Sequence, residues 1–181
     1  MSERVTTPKF RVAFPNVFDA KAPIQGGDAK YSVCMLFDAG ADLSGLKKIC
    51  QEAAEEMWGN KIPAGIRKPF RDAGEKDYDG FEDGMTFINA SSKFPPGIVD
   101  QNLNGIISED EFYGGCYARA SVTAYAYDKA GNRGVSIGLQ NLQKMSDGTP
   151  FRKSAASSAE AEFTVIKVND ADAENAEQLF R

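Results

Sequence analysis

The sequence predicts a mainly β protein, a small β-barrel with one inserted helix, and a β-sandwich is the alternative. Several short stretches alternate hydrophobic and polar residues, a pattern typical of strands with one buried face. Residues 42–58 are the one stretch with regular helical spacing. The 17 glycines and 8 prolines among 181 residues favour short strands and turns over a helical bundle.

Two strands are predicted near the beginning of the chain. Residues 9–18 alternate, with Phe10 and Phe14 on the same face, and we expect this strand to end at Pro15. A turn with two adjacent glycines follows. Residues 29–37 alternate again and predict a second strand, antiparallel to the first.

The inserted helix is predicted over residues 42–58. Its hydrophobic residues recur at intervals of three and four, which places them on one face. Asp42 or Ser44 can cap the beginning of the helix, and Gly59 can end it. The polar, glycine-rich residues 60–84 that follow are expected to be irregular.

The most regular strand is predicted over residues 112–127, and a turn connects it to a return strand over residues 134–145. One face of the long strand consists of small or apolar residues suited to a core: Cys116, Ala118, Ala120, Val122, Ala124 and Ala126. The opposite face carries rings, a cation and hydroxyls: Tyr117, Arg119, Ser121, Thr123, Tyr125 and Tyr127.

The composition excludes several classes of protein. The chain contains no histidine, which excludes Ser-His and Cys-His catalytic dyads and histidine-ligated zinc. Its three cysteines form no Cys-x-x-Cys pair and are typical of buried free thiols in a reducing compartment. No secretory signal, membrane-spanning run or nucleotide-binding motif is present. We therefore expect a cytoplasmic protein without histidine-based catalytic or zinc sites and without a nucleotide cofactor.

The net charge of −5 is unevenly distributed, because residues 1–153 carry −1 and residues 154–181 carry −4. The small polar residues after Arg152 are typical of a linker. We therefore predict a globular domain over residues 1–153 and a linker with a flexible acidic tail over residues 154–181. The tail residues expected to contact a protein partner are Asp170, Asp172, Glu174, Glu177 and Phe180.

The long strand suggests contact with single-stranded nucleic acid. Tyr117, Tyr125 and Tyr127 are candidates for stacking on bases, since such binding combines flat rings with nearby cations. The candidates for phosphate contact on and beside this strand are Arg119, Lys129 and Arg133. The alternative is an ordinary tyrosine row, because tyrosine is common in strands.

Two loops add candidates of the same kind. Lys93 and Phe94 precede two prolines, and Phe94 is a candidate for base stacking; the alternative is a ring that plugs the core. The basic part of residues 60–84 is interleaved with prolines and a phenylalanine, and the alternative there is an ordinary solvated loop. Its candidates for phosphate contact are Arg67, Lys68 and Arg71.

Two acidic segments contain residues of the types that bind metal ions. Residues 100–111 match the calcium-loop pattern of EF-hands. Pro95 and Pro96 exclude the helix that precedes such a loop, so we expect a hairpin loop that binds no calcium. The acidic end of residues 60–84 has carboxylates that a magnesium-dependent nuclease needs, but a glycine-rich loop fixes no ligand geometry.

Residues 94–151 resemble a family of bacteriophage single-stranded DNA-binding proteins, most specifically in the segments FYGGCYARASV and GVSIGLQNLQKMSDG. The segment KFRVAFPNVFDA is similar to the N-terminal strands of that family, and the resemblance covers about residues 5–166. It implies an OB-fold barrel that binds single-stranded DNA with little sequence preference, without catalysis and without bound metal. Related phage proteins carry acidic tails that end in phenylalanine and engage replication partners, whereas here Arg181 follows Phe180.

The resulting expectation is a phage protein that coats single-stranded DNA during replication or recombination in the host cytoplasm. One alternative is a structural or protein-interaction module that uses the tyrosine face for protein contact. A third possibility is a metal-dependent nuclease built on the acidic end of residues 60–84.

Overall fold

The computed structural model describes residues 3–22, 26–151 and 163–166. The chain divides into two units, Met1–Phe151 and Arg152–Arg181. Every described helix and strand lies in the first unit, while residues 163–166 are exposed and have no regular secondary structure. The predicted partner residues of the tail lie outside the described residues: Asp170, Asp172, Glu174, Glu177 and Phe180.

The described residues form eight strands and one α-helix. The strands are β1 (Val5–Thr6), β2 (Phe10–Lys21), β3 (Lys30–Phe37), β4 (Arg71–Asp72), β5 (Thr86–Ser92), β6 (Gly97–Val99), β7 (Tyr117–Lys129) and β8 (Asn132–Ser146). The helix, α1 (Ser44–Trp58), lies between β3 and β4, and a single 3-10 turn (Ala73–Glu75) follows β4.

Five of the strands close into a barrel. The strands β7, β2, β3, β5 and β8 are neighbours in that order, and the pairing of β7 with β8 closes the ring. The β5–β8 pair is parallel, and the other pairs of the ring are antiparallel. The short strands β1, β4 and β6 pair with β7, β5 and β8. The predicted barrel is confirmed, in the five-stranded form typical of the OB-fold, and the β-sandwich alternative is wrong.

The two predicted faces of β7 are confirmed, although the strand begins at Tyr117, five residues later than predicted. Ala118, Ala120 and Ala124 are buried, and their small side chains allow the rest of the core to approach closely. Helix α1 packs against β7 and β8 and adds Leu46 and Ile49 to the same core. Burial of each of these two side chains stabilises the fold by about 1.5–3 kcal/mol.

The first predicted strand is longer than expected, and one of its residues was assigned to the wrong face. Strand β2 continues past Pro15 to Lys21. The register with β3 shifts between Ala13 and Asn16, so a bulge absorbs the proline, which has no N–H for the ladder. This bulge turns Phe14 out of the core: its backbone is left-handed, with φ 45°, and its side chain is 55% exposed.

The helix begins two residues later than predicted. Asp42 accepts a hydrogen bond from the N–H of Ser44 at 3.0 Å but stays outside the helix, and Leu43 occupies the capping position. Gly59 ends the helix as expected, with φ 62° and its N–H donating to the carbonyl of Glu55. No helix in the described part of the chain is long and apolar enough to cross a membrane.

Candidate nucleic-acid interface

The predicted site residues of β7 lie on the outer face of the barrel. Tyr125 is 42% exposed, Arg119 is also exposed, and Tyr117 and Tyr127 are half-buried. Tyr117 and Tyr125 are about 26 Å apart along the strand, since each residue adds about 3.3 Å. The two ends of β7 therefore have different neighbours and form separate groups.

Four predicted residues come together on the outer face where β7 turns into β8. This hairpin group consists of Arg67, Tyr125, Tyr127 and Lys129. Arg67 comes from the segment after α1, and its N–H donates to the carbonyl of Arg133 at 2.9 Å. Its own carbonyl accepts the N–H of Val135, also at 2.9 Å. These backbone bonds hold the exposed residue Arg67 over Gly134, next to the hydroxyl of Tyr127, so a cationic residue and a ring lie together, as single-strand binding requires.

Gly134 allows the hairpin group to assemble. A Cβ atom at this position would lie 2.6 Å from the hydroxyl of Tyr127 and 2.7 Å from the carbonyl oxygen of Arg67. Both distances are below those that side chains tolerate. The absence of a side chain at Gly134 therefore lets the tyrosine ring and the Arg67 backbone meet over the same point of β8.

Arg133 lies apart from the hairpin group although it belongs to the same hairpin. It precedes the outward-facing Gly134 in β8, so alternation directs it to the opposite face. There its Nε pairs with Asp128 at 3.2 Å. A cavity of about 300 Å³ lies between the Arg67 segment and the hairpin tip, and both arginines contribute to its lining.

At the other end of β7, the predicted site residues contact side chains of the same protein. The ring of Tyr117 has the Nζ of Lys9 at 5.2 Å and the guanidinium of Arg11 at 5.8 Å. The Nε of Arg119 donates to the side-chain oxygen of Gln143 at 2.8 Å. Tyr117 and Arg119 therefore belong to a separate group with its own contacts, and their distance along β7 keeps them apart from the hairpin group.

The predicted loop after β5 presents its ring to solvent. Phe94 is 77% exposed, and its N–H donates to the hydroxyl of Ser92 at 3.1 Å. Lys93 beside it is also exposed. The interpretation of Phe94 as a plug of the core is therefore wrong.

The two remaining predicted cations have separate positions. Lys68 lines a cavity of about 740 Å³ between α1 and the segment that follows it. The guanidinium of Arg71 lies 5.3 Å from the centre of the Phe87 ring, on the outer face of β5. Neither cation joins the hairpin group.

A row of small polar residues and one glycine crosses the outer face of the barrel beside the hairpin group. This polar row consists of one residue from each strand of the ring, paired in register: Thr123, Gly138, Ser91, Ser32 and Asn16. Neighbouring strands lie about 4.8 Å apart, so the row extends about 19 Å along the barrel surface. No sequence pattern indicates this row, because each strand contributes a single residue and only the register between strands aligns them.

An exposed aromatic patch lies beyond the far end of the polar row, next to Asn16. It consists of Phe14 and Tyr78, whose ring centres are 5.0 Å apart in an edge-to-face arrangement and which are 55% and 48% exposed. The ring of Phe81 packs against that of Tyr78 with 5.4 Å between ring centres, and the ring of Phe87 packs against that of Phe81 with 5.5 Å between ring centres. The bulge in β2 creates this patch, and no periodicity in the sequence indicates it.

The calcium-like loop, residues 100–111, forms hydrogen bonds within itself and, among the described residues, is not part of a metal site. Asp100 accepts the N–H groups of Asn102 and Asn104, both at 2.9 Å, and these bonds lower the pKa of its carboxyl group. The calcium-like loop follows β6, not a helix, and its Ile107 points to solvent. Among the described residues, no group of three potential metal ligands is close enough to hold an ion.

The three cysteines are buried free thiols, as the sequence predicts. Burial raises the pKa of Cys34 to about 12 and that of Cys50 to about 11. Because the thiolate is the reactive form, these thiols are inert at neutral pH. All three side chains belong to the buried clusters of the fold.

Comparison with known proteins identifies relatives among phages. The family model described as the single-stranded DNA-binding protein of Enterobacter phage Enc34 matches residues 3–176. The putative protein p50 of Acyrthosiphon pisum secondary endosymbiont phage 1 is 32% identical over 162 residues, which cover 83% of this chain and 87% of that protein.

Solved structures show the same fold. The single-stranded DNA-binding protein of bacteriophage Enc34, in complex with single-stranded DNA, matches with a TM-score of 0.67 and 20% identity over 82% of this chain and 89% of that chain. The single-stranded DNA-binding protein gp2.5 of bacteriophage T7 matches with a TM-score of 0.62 and 13% identity over 90% and 93% of the two chains. The structural likeness establishes the fold, and the family match over nearly the whole sequence establishes descent: the chain belongs to the family of the Enterobacter phage Enc34 single-stranded DNA-binding protein.

Proposed function

We propose that this chain coats single-stranded DNA with little sequence preference during phage DNA replication or recombination. The observation that carries the proposal is the position of the exposed Tyr125 and of Arg67 at one end of the polar row. Support also comes from membership in a family described by its single-stranded DNA binding, and from the shared fold with a phage protein solved in complex with such DNA.

In the proposed complex, the rings, the cations and the polar row make different kinds of contact with the DNA. The rings of Tyr125 and Tyr127 stack on bases, and each such stack contributes about 1–3 kcal/mol. Arg67 and Lys129 neutralise phosphates and release their counterions. The polar row has no large side chain and lets the strand lie against the sheet. Because every base has a π-face, stacking on rings discriminates little between sequences.

The other predicted residues enter this proposal with smaller roles. Lys93 and Phe94 follow Ser91 of the polar row closely in sequence, and we assign them a contact with the strand where it passes β5. The more distant cations attract DNA without touching it at fixed positions: Lys68, Arg71, Arg119 and Arg133. Tyr117 lies about 26 Å from Tyr125 at the other end of β7, away from the hairpin group and the polar row, and is assigned no stacking role.

We further propose that the protein is a binder and not an enzyme, that it acts in the host cytoplasm, and that residues 1–153 form its DNA-binding domain. The acidic residues of the tail and Phe180 are proposed to contact a replication protein. Incubation with a labelled oligonucleotide and Mg²⁺ tests the nuclease alternative, and the expected result is an uncleaved oligonucleotide.

The central experiment compares two tyrosines of the same strand. Fluorescence anisotropy with a labelled oligo-dT measures the affinity of Tyr125→Ala, Tyr125→Phe and Tyr117→Ala. We expect Tyr125→Ala to lose about 1–3 kcal/mol of binding free energy and Tyr125→Phe to retain it, because the ring is the contact. Tyr117→Ala is expected to bind like the parent. Equal affinity of Tyr125→Ala and the parent would remove Tyr125 from the interface.

A further inference from the structure

The aromatic patch of Phe14 and Tyr78 is set in an acidic surface. Residues 71–83, which include Tyr78, carry a net charge of −4. Tyr78 follows Asp77 directly, and the carboxylates of Asp77, Glu75 and Glu82 are on exposed residues. The patch thus combines exposed rings with negative charge, whereas the hairpin group combines exposed rings with positive charge.

This charge disfavours DNA as the occupant of the patch. A strand that stacked on Tyr78 would bring its phosphates close to several carboxylates. Such charges interact over a screening length of about 8–10 Å at physiological salt, and like charges repel. A protein surface with rings and cations fits the patch better.

The backbone holds Phe14 in its exposed position. Its left-handed φ of 45° is unusual for a large side chain, and such conformations are concentrated at functional sites. The side-chain amide of Asn16 donates to the Phe14 carbonyl at 3.3 Å and so fixes the bulge. The edge-to-face contact with Tyr78 orients both rings. An exposed, preorganised pair of rings is typical of a protein contact surface.

The position of the patch indicates which protein surface it meets. The hairpin group lies at one end of the polar row and the patch at the other end. If DNA follows the row, it enters each copy of the protein at one of these groups and leaves at the other. Copies that bind one strand with the same polarity then place the patch of one copy beside the hairpin of the next.

We propose that the aromatic patch docks on the hairpin side of the neighbouring copy when the protein coats DNA. The hairpin tip, residues 127–134, carries a net charge of +1 although Arg133 pairs with Asp128, and Arg67 beside it adds a further positive charge, so the negative patch meets a positive surface there. The contact is head-to-tail and open-ended, so it propagates along a strand. It provides cooperativity between bound copies, and it rests on the proposed DNA-binding function.

The test separates cooperativity from affinity in the full chain. Binding is measured by anisotropy on an oligo-dT that holds one copy and on an oligo-dT that holds several copies. The variants are Tyr78→Ser and Asp77→Lys, with Tyr78→Phe as the variant that keeps the ring. A matched control, Ile107→Ser with Asp110→Lys, changes an exposed apolar residue and an exposed acid in the loop after β6.

The expected result is one-copy affinity equal to that of the parent, with cooperativity on the long oligonucleotide reduced by about threefold to tenfold for Tyr78→Ser. Asp77→Lys is expected to reduce cooperativity most at low salt. Tyr78→Phe and the control pair are expected to match the parent, and melting temperatures to show that every variant is folded.

Three results would overturn the inference. A loss of one-copy affinity in Tyr78→Ser would make the patch part of the DNA contact. Unchanged cooperativity in both Tyr78→Ser and Asp77→Lys would leave the patch without a role between copies, as would a parent that binds without cooperativity. A parent that does not bind the one-copy oligonucleotide would instead refute the proposed function itself.

Discussion

The hairpin group and the aromatic patch are both exposed aromatic surfaces on one barrel, yet they are built and charged in opposite ways. The hairpin group arises from regular alternation in β7, with Arg67 added by backbone pairing. The patch arises from an interruption of β2, where a bulge reverses the direction of Phe14. The comparison teaches that exposed rings alone do not define a ligand, because the neighbouring charges decide which partner a ring attracts.

The largest effect is expected when the cations of the hairpin group are removed. The double variant Arg67→Ala with Lys129→Ala should lose ~3 kcal/mol of binding free energy for oligo-dT at low salt, because two phosphate contacts disappear. The slope of log affinity against log salt should become shallower by about 1.4, since each contact with a single strand contributes about 0.7.

The matched control for this double variant is Lys9→Ala with Arg119→Ala, at the opposite end of β7. These cations contact Tyr117 and Gln143 within the protein, so their removal is expected to leave the salt slope nearly unchanged. If both double variants change the slope equally, the charge of the hairpin group acts only through general attraction.

A smaller effect is expected from Gly134→Ala. The added methyl group would displace Tyr127 or the Arg67 backbone, and overpacking of this kind costs about 1–3 kcal/mol. We expect lower thermal stability together with weaker DNA binding, because the same contact serves both. Gly97→Ala is the comparison, since its Cβ would approach the side-chain oxygen of Asn141 at 2.7 Å, outside both the hairpin group and the polar row. A Gly134→Ala variant with parental affinity would show that the docking of Arg67 is dispensable.

The smallest effect is expected in the pH dependence of stability, through Asp147 near the Tyr117 end of β7. The hydrogen bond from Lys144, and then that from Tyr113, holds the pKa of the exposed Asp147 carboxyl below its usual value. A lowered pKa stabilises the fold above the unfolded pKa of about 3.9, and this stabilisation is lost as the pH falls through the folded pKa. In Asp147→Asn, the melting temperature should decline less steeply below about pH 4 than in the parent. Identical pH profiles would show that this pair contributes nothing measurable.

Several elements were predictable because their signal is local. The alternation over residues 112–127 predicts both faces of β7, and the three- and four-residue spacing predicts α1 to within two residues. The sequence indicates Phe94 as a candidate for base stacking and leaves burial in the core as the alternative, and only the structure shows the ring exposed. The alternation predicts one face for Phe10, Val12 and Phe14, and the bulge at Pro15 breaks that pattern and exposes Phe14.

The sequence by itself determined the mainly β character, the single helix, the two faces of β7 and the family resemblance, since these depend on the order of residues within short segments. Tertiary structure alone decided which outward residues meet. Register aligned Thr123, Gly138 and Ser91 into one row, and backbone pairing brought Arg67 to the hairpin. It also gave Tyr117 and Tyr125 different neighbours, although both share one face of one strand. The physical reason is that period-two alternation fixes only the face of the sheet, whereas strand pairing, bulges and barrel closure fix the position on that face.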